Sequence, residues 1–235
     1  LDLENSEIKK RKESTMNKST LSLTIVAGSL IASSAMADYT GLTSVNSDNG
    51  DGTWTAQIYA NFSAATDELD AVFGDAQNAL SISTSGMFYQ NALGGATSQS
   101  INPALIPLFP SLALDSWVTI GLSDQTDNAL LNIGIDFSGF EAGGSISTDN
   151  GSWFATPDDA QVLAGADLRV LVGQFTMMGM DDNVSGVLNL QGKAGDFETF
   201  QARDQAFDFS YGAVPAPGAL ALLGLAGVAS RRRRK

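Results

Sequence analysis

The chain lacks the residue types on which most catalytic and metal sites depend, since its 235 residues include no Cys and no His. Disulfides, thiolate nucleophiles, imidazole metal ligands and the base of the usual Ser–His–Asp triads are therefore excluded. Carboxylates remain, and a glycoside hydrolase would need two of them beside the scissile bond. No nucleophile–base set is recognisable, so we predict no catalytic residues and a non-enzymatic protein, with a glycoside hydrolase as the weakest alternative.

Asp158 and Asp159 are the adjacent carboxylates that best fit acid–base chemistry. They follow Thr156, which is predicted to cap a helical turn over residues 157–163. Carboxylates in the first turn of a helix are stabilised by the helix dipole. We therefore interpret the pair as structural, and Asp181–Asn183 as a hairpin connection.

Asn46–Gly52 has the composition of an oxygen-rich calcium loop. In the register of an EF-hand loop, however, Ser47 comes first and Ile58 comes twelfth, where a bidentate Glu belongs. A turn that leads into a strand at Thr53 fits better, because Asn, Asp and Gly tolerate positive φ. We predict no cofactor and no metal ligands, while structural calcium at another group of carboxylates stays open.

Trp117 is the residue whose setting most suggests ligand binding. Alternation over residues 115–122 puts Val118 on the core side and Trp117 on the polar side. An aromatic ring among hydrogen-bonding groups suits a sugar, whose C–H face stacks on the ring, and Tyr59 is the second candidate for such a glycan-binding surface. The alternative, which we favour, is that the apolar segment Ile101–Pro110 covers Trp117.

Charge is distributed very unevenly along the chain. The formal net charge is -13, but residues 38–213 alone carry 22 acidic and three basic residues, a balance of -19. Those three basic residues are Arg169, Lys193 and Arg203. Such a surface is soluble and repels nucleic acid and anionic lipid, so we expect no nucleic-acid partner.

The N-terminal part of the chain has the pattern of a secretory signal. Residues 1–15 contain no Met and are highly charged, so we interpret them as an upstream translation artefact and place the start at Met16. A short basic stretch and the apolar run Leu21–Ser33 then predict a signal peptide over residues 16–37.

The predicted cleavage site has small residues at the two positions that signal peptidase requires. Ala35 and Ala37 supply them, and Asp38 becomes the new N-terminus. We therefore expect signal peptidase and the secretion machinery as partners, and a mature domain over residues 38–213.

The C-terminal segment, residues 214–235, combines a Pro-bracketed motif, an apolar helix and a basic cluster. The helix, Gly218–Ser230, is predicted to be transmembrane, although its length spans a bilayer only marginally. The basic cluster acts as a stop-transfer signal that stays cytoplasmic and leaves the body of the protein outside. The motif is Val214, Pro215, Ala216 and Pro217, and the cluster is Arg231, Arg232, Arg233, Arg234 and Lys235.

This segment, about a tenth of the chain, resembles the sorting tail of PEP-CTERM proteins. In that family a Val-Pro-Glu-Pro motif precedes a Gly/Leu/Ala helix and a terminal Arg cluster, and Ala216 stands here in place of the Glu. The resemblance implies processing near the Pro motif by exosortase. It also implies transient residence in the cytoplasmic membrane, then the cell surface or extracellular matrix, in association with exopolysaccharide and biofilm.

Alternation of apolar and polar residues, typical of half-buried strands, dominates the middle of the chain. In Thr53–Phe62, the apolar residues Trp54, Ala56, Ile58, Ala60 and Phe62 are predicted to face the core. The same pattern predicts inward Ile133, Ile135 and Phe137 in Asn132–Ser138, and inward Phe207, Phe209 and Tyr211 in Ala206–Tyr211.

Other segments complete the predicted set of strands. Leu168–Met177 is apolar on both faces, as in a central strand, and Val184–Gln191 follows it across a turn at Gly179–Asn183. Further strands are predicted at Leu69–Phe73, Ala79–Thr84, Trp117–Leu122 and Ser145–Thr148.

Some nine short strands separated by Gly, Asn, Asp and Ser predict an all-β fold. We expect one antiparallel, jelly-roll-like β-sandwich with one or two short helical turns, one capped by Asn102 and one by Thr156. The leading hypothesis is an exported surface or matrix protein with a structural or adhesive role. The alternative is a carbohydrate-binding module that recognises a glycan through Trp117 and Tyr59.

Overall fold

The computed structural model describes residues 39–195 and 198–212, and in that part of the chain eleven strands form two antiparallel sheets. The strands are β1 (Tyr39–Asp48), β2 (Trp54–Phe62), β3 (Glu68–Gly74), β4 (Leu80–Thr84), β5 (Trp117–Val118), β6 (Leu131–Ile133), β7 (Ile146–Thr148), β8 (Gly151–Phe154), β9 (Arg169–Met177), β10 (Asn183–Ala194) and β11 (Glu198–Ser210). One α-helix, α1 (Ser138–Glu141), and 3₁₀ turns at Ser98–Ser100, Pro110–Leu114 and Ala160–Val162 complete the described elements.

The smaller sheet has the strand order β1-β2-β9-β5. In the larger sheet, β10 pairs with β11 along one side and with β3 and β4 along the other. β8 then pairs with β3, β7 pairs with β4, and β6 pairs with β8. The predicted all-β, predominantly antiparallel class is confirmed.

The two sheets pack face to face around one apolar core. Its largest side chains are Trp54 and Phe175 from the smaller sheet, Trp153 from the larger sheet, and Phe140 from α1, all fully buried. A second, smaller cluster lies on the outer side of the smaller sheet and consists of Ile101, Leu112, Trp117 and Leu171. The fold is therefore sandwich-like, and additional chain covers part of the outer face of the smaller sheet.

Alternation predicted the central strands correctly. All five predicted core residues of β2 are at most 4% exposed. β9 is buried on both faces, because its inner side chains lie in the core and Leu171 on its outer face belongs to the second cluster. Each of the nine predicted strands overlaps a strand of the structure, while β1 and β8 were missed. β1 has too few apolar residues to show alternation, and β8 is only four residues long.

The prediction of a half-buried strand over Asn132–Ser138 is only partly correct, because Ile135 and Phe137 pack against the core but the strand does not extend to them. β6 ends at Ile133, whose side chain is 66% exposed, and α1 begins at Ser138. Gly134 has a φ of 72°, in the left-handed region, and a Cβ there would overlap the carbonyl oxygen of Asn150. This glycine ends the strand and lets the chain bend towards α1.

The predicted inward face of the last strand is only partly correct. Phe207 is 8% exposed and Phe209 is half-buried, but Tyr211 is 38% exposed and lies beyond the end of β11. β11 also begins at Glu198, well before the predicted start at Ala206.

The prediction of a hairpin at Gly179–Asn183 is wrong, because β9 and β10 belong to different sheets. The connection instead crosses from one sheet to the other. The indole Nε1 of Trp54 donates a hydrogen bond to the carbonyl oxygen of Asp182 at 3.2 Å, which fixes this crossing against β2.

The predicted helical turns also differ in detail. Asp159, not Thr156, caps the 3₁₀ turn Ala160–Val162 by accepting a hydrogen bond from the backbone N–H of Gln161. Asn102 accepts a hydrogen bond from the backbone N–H of Ala104 as predicted, but a run of turns follows it and not a helix.

The targeting predictions fall on residues 1–38 and 213–235, which lie outside the described residues. They include the cleavage residues Ala35, Ala37 and Asp38, the motif Val214–Pro217, and the basic cluster Arg231–Lys235. Among residues 39–195 and 198–212, no helix is long and apolar enough to cross a membrane.

Candidate functional site

The outer face of the smaller sheet carries polar side chains because the alternate positions of β2 point into the core. Thr55, Gln57, Tyr59 and Asn61 therefore share this face, and Arg169 of β9 pairs in register with Asn61. Asn61 Nδ2 donates hydrogen bonds to the carbonyl oxygen of Gly41 and to Thr43 Oγ1, both at 3.0 Å. A polar strip thus runs across β1, β2 and β9.

The segment between β4 and β5, residues 85–116, covers the remainder of this face, and we call it the covering chain. Trp117 is 2% exposed and packs against Ile101 and Leu112, with Leu105 and Ile106 beside them. The prediction that an apolar segment covers Trp117 is confirmed, and its assignment as a surface glycan-binding residue is wrong. The physical reason is that a ring of this size on the outer face gains more from burial under Ile101–Pro110 than from exposure.

Tyr59 is half-buried at the border between the polar strip and this covered area. The guanidinium carbon of Arg169 lies 4.1 Å from the centroid of its ring. This distance is that of a cation–π contact, so Arg169 occupies one face of the ring. At this surface, one face of the Tyr59 ring is therefore covered by the guanidinium of Arg169, which the ring holds in position.

A chain of hydrogen bonds fixes Tyr59 in place. Its hydroxyl donates to Gln57 Oε1 at 3.1 Å, and Gln57 Nε2 donates to Gln174 Oε1 at 3.2 Å. Gln174 Nε2 then donates to the carbonyl oxygens of Ala113 and Asp115, each at 2.9 Å. The side chains of Gln174, Gln57 and Tyr59 therefore link the covering chain to β9 and β2.

Beside Tyr59 lies a cleft of about 370 Å³, which we call the Arg169 cleft. Its residues come from β2, from β9 and the loop before it, from the chain after β5, and from the 3₁₀ turn that follows β8. They are Gln57, Tyr59, Gly121, Leu122, Ser123, Ala160, Gln161, Leu163, Asp167, Arg169, Val170 and Leu171.

One wall of the Arg169 cleft is held rigidly. Gly121 has a φ of 77°, and a Cβ at this position would overlap the carbonyl oxygen of Gln161. Gln161 Nε2 donates to the carbonyl oxygen of Ile120 at 2.9 Å, and its Oε1 accepts from the backbone N–H of Ala129 at 2.8 Å. The amide of Gln161 therefore serves the fold, and the polar groups left for a ligand include Arg169, Ser123 and Asp167.

Arg169 differs in its electrostatic surroundings from the other two basic residues of the domain. Lys193 Nζ lies 3.4 Å from Glu68 Oε2 and 3.0 Å from Asp158 Oδ1, and Arg203 forms an ion pair with Asp75. Arg169 forms no ion pair with any described residue. Its guanidinium can thus offer several N–H donors and a positive charge to a ligand.

A second group of charged residues surrounds Lys193. Gln191 pairs with Ala71 and the next residue, Gly192, pairs with Leu69, so Asp70 is the extra residue of a β-bulge. Its side-chain Oδ1 is buried with no hydrogen-bond partner in the described part of the chain. Burial, and secondly the neighbouring Glu68, raise the pKa of Asp70 to about 6.

The acidic pair Asp158 and Asp159 is divided between two structural tasks. Asp158 has a φ of 68° and contacts Lys193, whereas Asp159 caps the following 3₁₀ turn. The structural interpretation of the pair is confirmed, although the predicted helix-dipole contact is replaced by an ion pair and a cap.

Asn46–Gly52 is the end of β1 and the turn that leads into β2, as predicted. Asp48 Oδ1 accepts from the backbone N–H of Gly50 at 2.8 Å, and Asp51 Oδ1 accepts from that of Thr53 at 3.0 Å. Both carboxylates thus stabilise the turn. Within the described ranges, no group of three or more Asp or Glu side chains is arranged to hold a metal ion.

Asp115 is a fully buried carboxylate under the covering chain. Its Oδ1 accepts from the backbone N–H of Asn91 at 2.7 Å, and its Oδ2 accepts from that of Gly95 at 2.9 Å. Burial raises the pKa of Asp115 to about 6, even though these hydrogen bonds act in the opposite direction. Asp115 therefore organises a loop and is not exposed to a ligand.

The sequence interpretation assigned no role to Arg169, Gln57 or Gln174. Their positions in β2 and β9 were predicted, but polar residues on an outer face show no sign of their mutual contacts. One signal was available, because Arg169 is one of only three basic residues among residues 38–213.

Comparison with family models, with curated proteins and with solved structures finds no match for this chain.

Proposed function

We propose that the protein is an exported, non-catalytic component of the cell surface or extracellular matrix, held there because its β-sandwich binds polysaccharide in the Arg169 cleft. The observation that carries this proposal is the cleft itself, in which a guanidinium that forms no ion pair with any described residue lies over the ring of a hydrogen-bonded tyrosine. Sugar ligands are bound by planar polar side chains that are held in position beside aromatic rings. The combination therefore favours binding in the Arg169 cleft, and not through an exposed Trp117.

A non-catalytic role is supported by the surroundings of the carboxylates. Asp115 accepts backbone hydrogen bonds, Asp158 forms an ion pair with Lys193, and Asp159 caps a turn. None of these three lines the Arg169 cleft, where Asp167 is the one carboxylate. Glycoside hydrolysis in that cleft would need a second carboxyl group.

Export and sorting form the second part of the proposal and depend on the two terminal segments. Residues 16–37 direct secretion and are removed by signal peptidase before Asp38. Residues 214–235 hold the protein transiently in the cytoplasmic membrane until an exosortase cuts near Val214–Pro217. The resemblance to PEP-CTERM tails supports this step, and the loss of Arg231–Lys235 leaves an intensely acidic domain outside the cell.

Polysaccharide binding is tested by affinity electrophoresis of the purified protein in native gels that contain the producing cell's own exopolysaccharide. We expect slower migration than in gels without polymer, relative to an acidic protein of similar size that does not bind sugars. Equal relative mobility in both gels would overturn the binding proposal. Release of reducing ends from the polymer would instead indicate the glycoside hydrolase alternative.

Sorting is tested by deletion of residues 214–235 and measurement of surface display with an antibody to the folded domain. We expect loss of display with an unchanged far-UV circular dichroism spectrum, because every strand of the two described sheets lies within residues 39–210. Replacement of Arg231–Lys235 by Gln tests the stop-transfer role separately. Unchanged display after the deletion would contradict the sorting proposal and leave the binding proposal intact.

A further inference from the structure

Arg169 is a conspicuous exception in a strongly acidic domain. Residues 38–213 contain 22 acidic and three basic residues, and both other basic residues form ion pairs. Arg169 lies in a cleft with Asp167, yet these two side chains form no ion pair in the described structure. No described carboxylate forms an ion pair with this positive charge, which is therefore available to an anionic ligand.

The contacts of Arg169 determine which kind of anion fits. The guanidinium carbon lies over the ring of Tyr59, 4.1 Å from its centroid, and the hydrogen bonds through Gln57 and Gln174 hold that ring in place. The guanidinium carries five N–H donors in one plane, and no described carboxylate forms an ion pair with them. A planar carboxylate accepts two such hydrogen bonds in parallel, which is the strongest arrangement that arginine makes.

The remaining features of the cleft suit a sugar. Its volume of about 370 Å³ is close to the lower limit of about 300 Å³ for small-molecule sites. The hydroxyl of Ser123 and the carboxylate of Asp167 lie in the same cleft and can hydrogen-bond with sugar hydroxyls. A ligand that carries hydroxyl groups as well as one carboxylate would contact all three of Arg169, Ser123 and Asp167.

We infer that the Arg169 cleft binds a hexuronate residue of the polysaccharide, with the sugar carboxylate held by Arg169. This inference rests on the proposed polysaccharide-binding function and specifies its ligand. The charge of the domain adds a further condition, because a surface with a balance of -19 repels a densely charged polyanion. The preferred polymer consequently carries uronates separated by neutral sugars.

The test compares free sugars that differ in one group, using NMR titration of the purified protein with glucuronate, glucose and glucose 6-sulfate. We expect glucuronate to bind at least about tenfold more tightly than glucose, because only glucuronate offers a charged acceptor to the guanidinium of Arg169. Arg169→Gln should remove this preference. Arg169→Lys keeps the charge without the planar pair of donors and should retain only part of it.

Arg203→Gln is the matched control, because it removes the same charge from the larger sheet at a position paired with Asp75. It should leave the preference for glucuronate unchanged, and thermal unfolding should confirm that each variant is folded. If Arg169→Gln does not fold, Arg169→Lys provides the decisive comparison.

The outcomes distinguish the inference from the proposed function. Equal affinity for glucose and glucuronate, or a preference that survives in folded Arg169→Gln, would overturn the uronate inference while polysaccharide retention in gels still stood. Equal affinity for glucose 6-sulfate would overturn the assignment of a carboxylate. Absence of binding to any of the sugars together with unretarded migration in polysaccharide gels would overturn both.

Discussion

Asp70 and Asp115 show how single buried groups link the stability of this protein to pH. Both carboxyl groups are largely removed from water, and burial is the main cause that raises the pKa of each to about 6. Asp70 additionally lies near Glu68, and its Oδ1 lacks a hydrogen-bond partner in the described residues. A carboxylate that is buried in this way is more easily protonated in the folded state than in the unfolded chain.

We predict that the protein becomes more stable when the pH falls from about 7 to about 5. Between the ordinary carboxyl pKa of 3.8 and the raised value of about 6, the folded state binds protons that the unfolded state does not, so stability falls as pH rises. Each unit of pKa difference corresponds to about 1.4 kcal/mol. Asp51, Asp75 and Asp136 have lowered pKa values and oppose this effect only below about pH 4.

Melting temperatures measured by circular dichroism at several pH values check this prediction. The Asp70→Asn variant should show a smaller rise between pH 7 and 5, because one of the two linked groups no longer titrates. A wild-type melting temperature that falls over this range, or an unchanged slope in Asp70→Asn, would contradict the assignment.

At the scale of elements, alternation predicted which segments become strands but not which strands become partners. β2 and β9 were predicted with their core faces, because apolar residues alternate in β2 and occupy most positions of β9. The crossing at Gly179–Asn183 was predicted as a hairpin, because turn composition is the same whether a chain returns to its own sheet or enters another. Pairing depends on distant residues such as Trp54, whose indole contacts Asp182.

The candidate site could likewise be predicted only in part. The polar face of β2 and the cover over Trp117 could be predicted, since both depend on alternation and on an apolar segment nearby in sequence. The Arg169 cleft could not, because Tyr59 and Arg169 are far apart in the chain and only the pairing of β2 with β9 brings them together. Local patterns in a sequence do not determine such a register.

We predict that Trp117→Ala destabilises the protein and loosens the covering chain. Trp117 is 2% exposed and forms a cluster with Ile101, Leu112 and Leu171. Loss of a buried aromatic ring costs about 3 to 5 kcal/mol. Urea denaturation measures this cost, and limited proteolysis within residues 101–115 measures the loosening.

Leu108→Ala is the control for this change, because Leu108 lies in the same covering chain and is 72% exposed. Its effect should stay within about 0.5 kcal/mol, as for other exposed positions. If both variants unfold at the same urea concentration, Trp117 does not hold the covering chain on the sheet.

For the whole molecule, the dominant physical property is its negative charge. With no disulfide available and a balance of -19 over residues 38–213, the apolar core must stabilise the fold against repulsion between carboxylates. The described ion pairs use only Lys193 and Arg203, so most carboxylates have no basic partner. Dissolved cations should therefore contribute to stability.

We predict that the melting temperature rises when NaCl is increased from about 10 mM to about 150 mM, because the Debye length shrinks from about 30 Å to about 8 Å and screens this repulsion. CaCl₂ at matched ionic strength separates screening from specific binding. A similar rise in both salts, unaffected by a chelator in the NaCl sample, indicates screening alone. A larger rise in CaCl₂ that the chelator reverses would reveal a structural calcium site, and a fall in NaCl would contradict the dominance of repulsion.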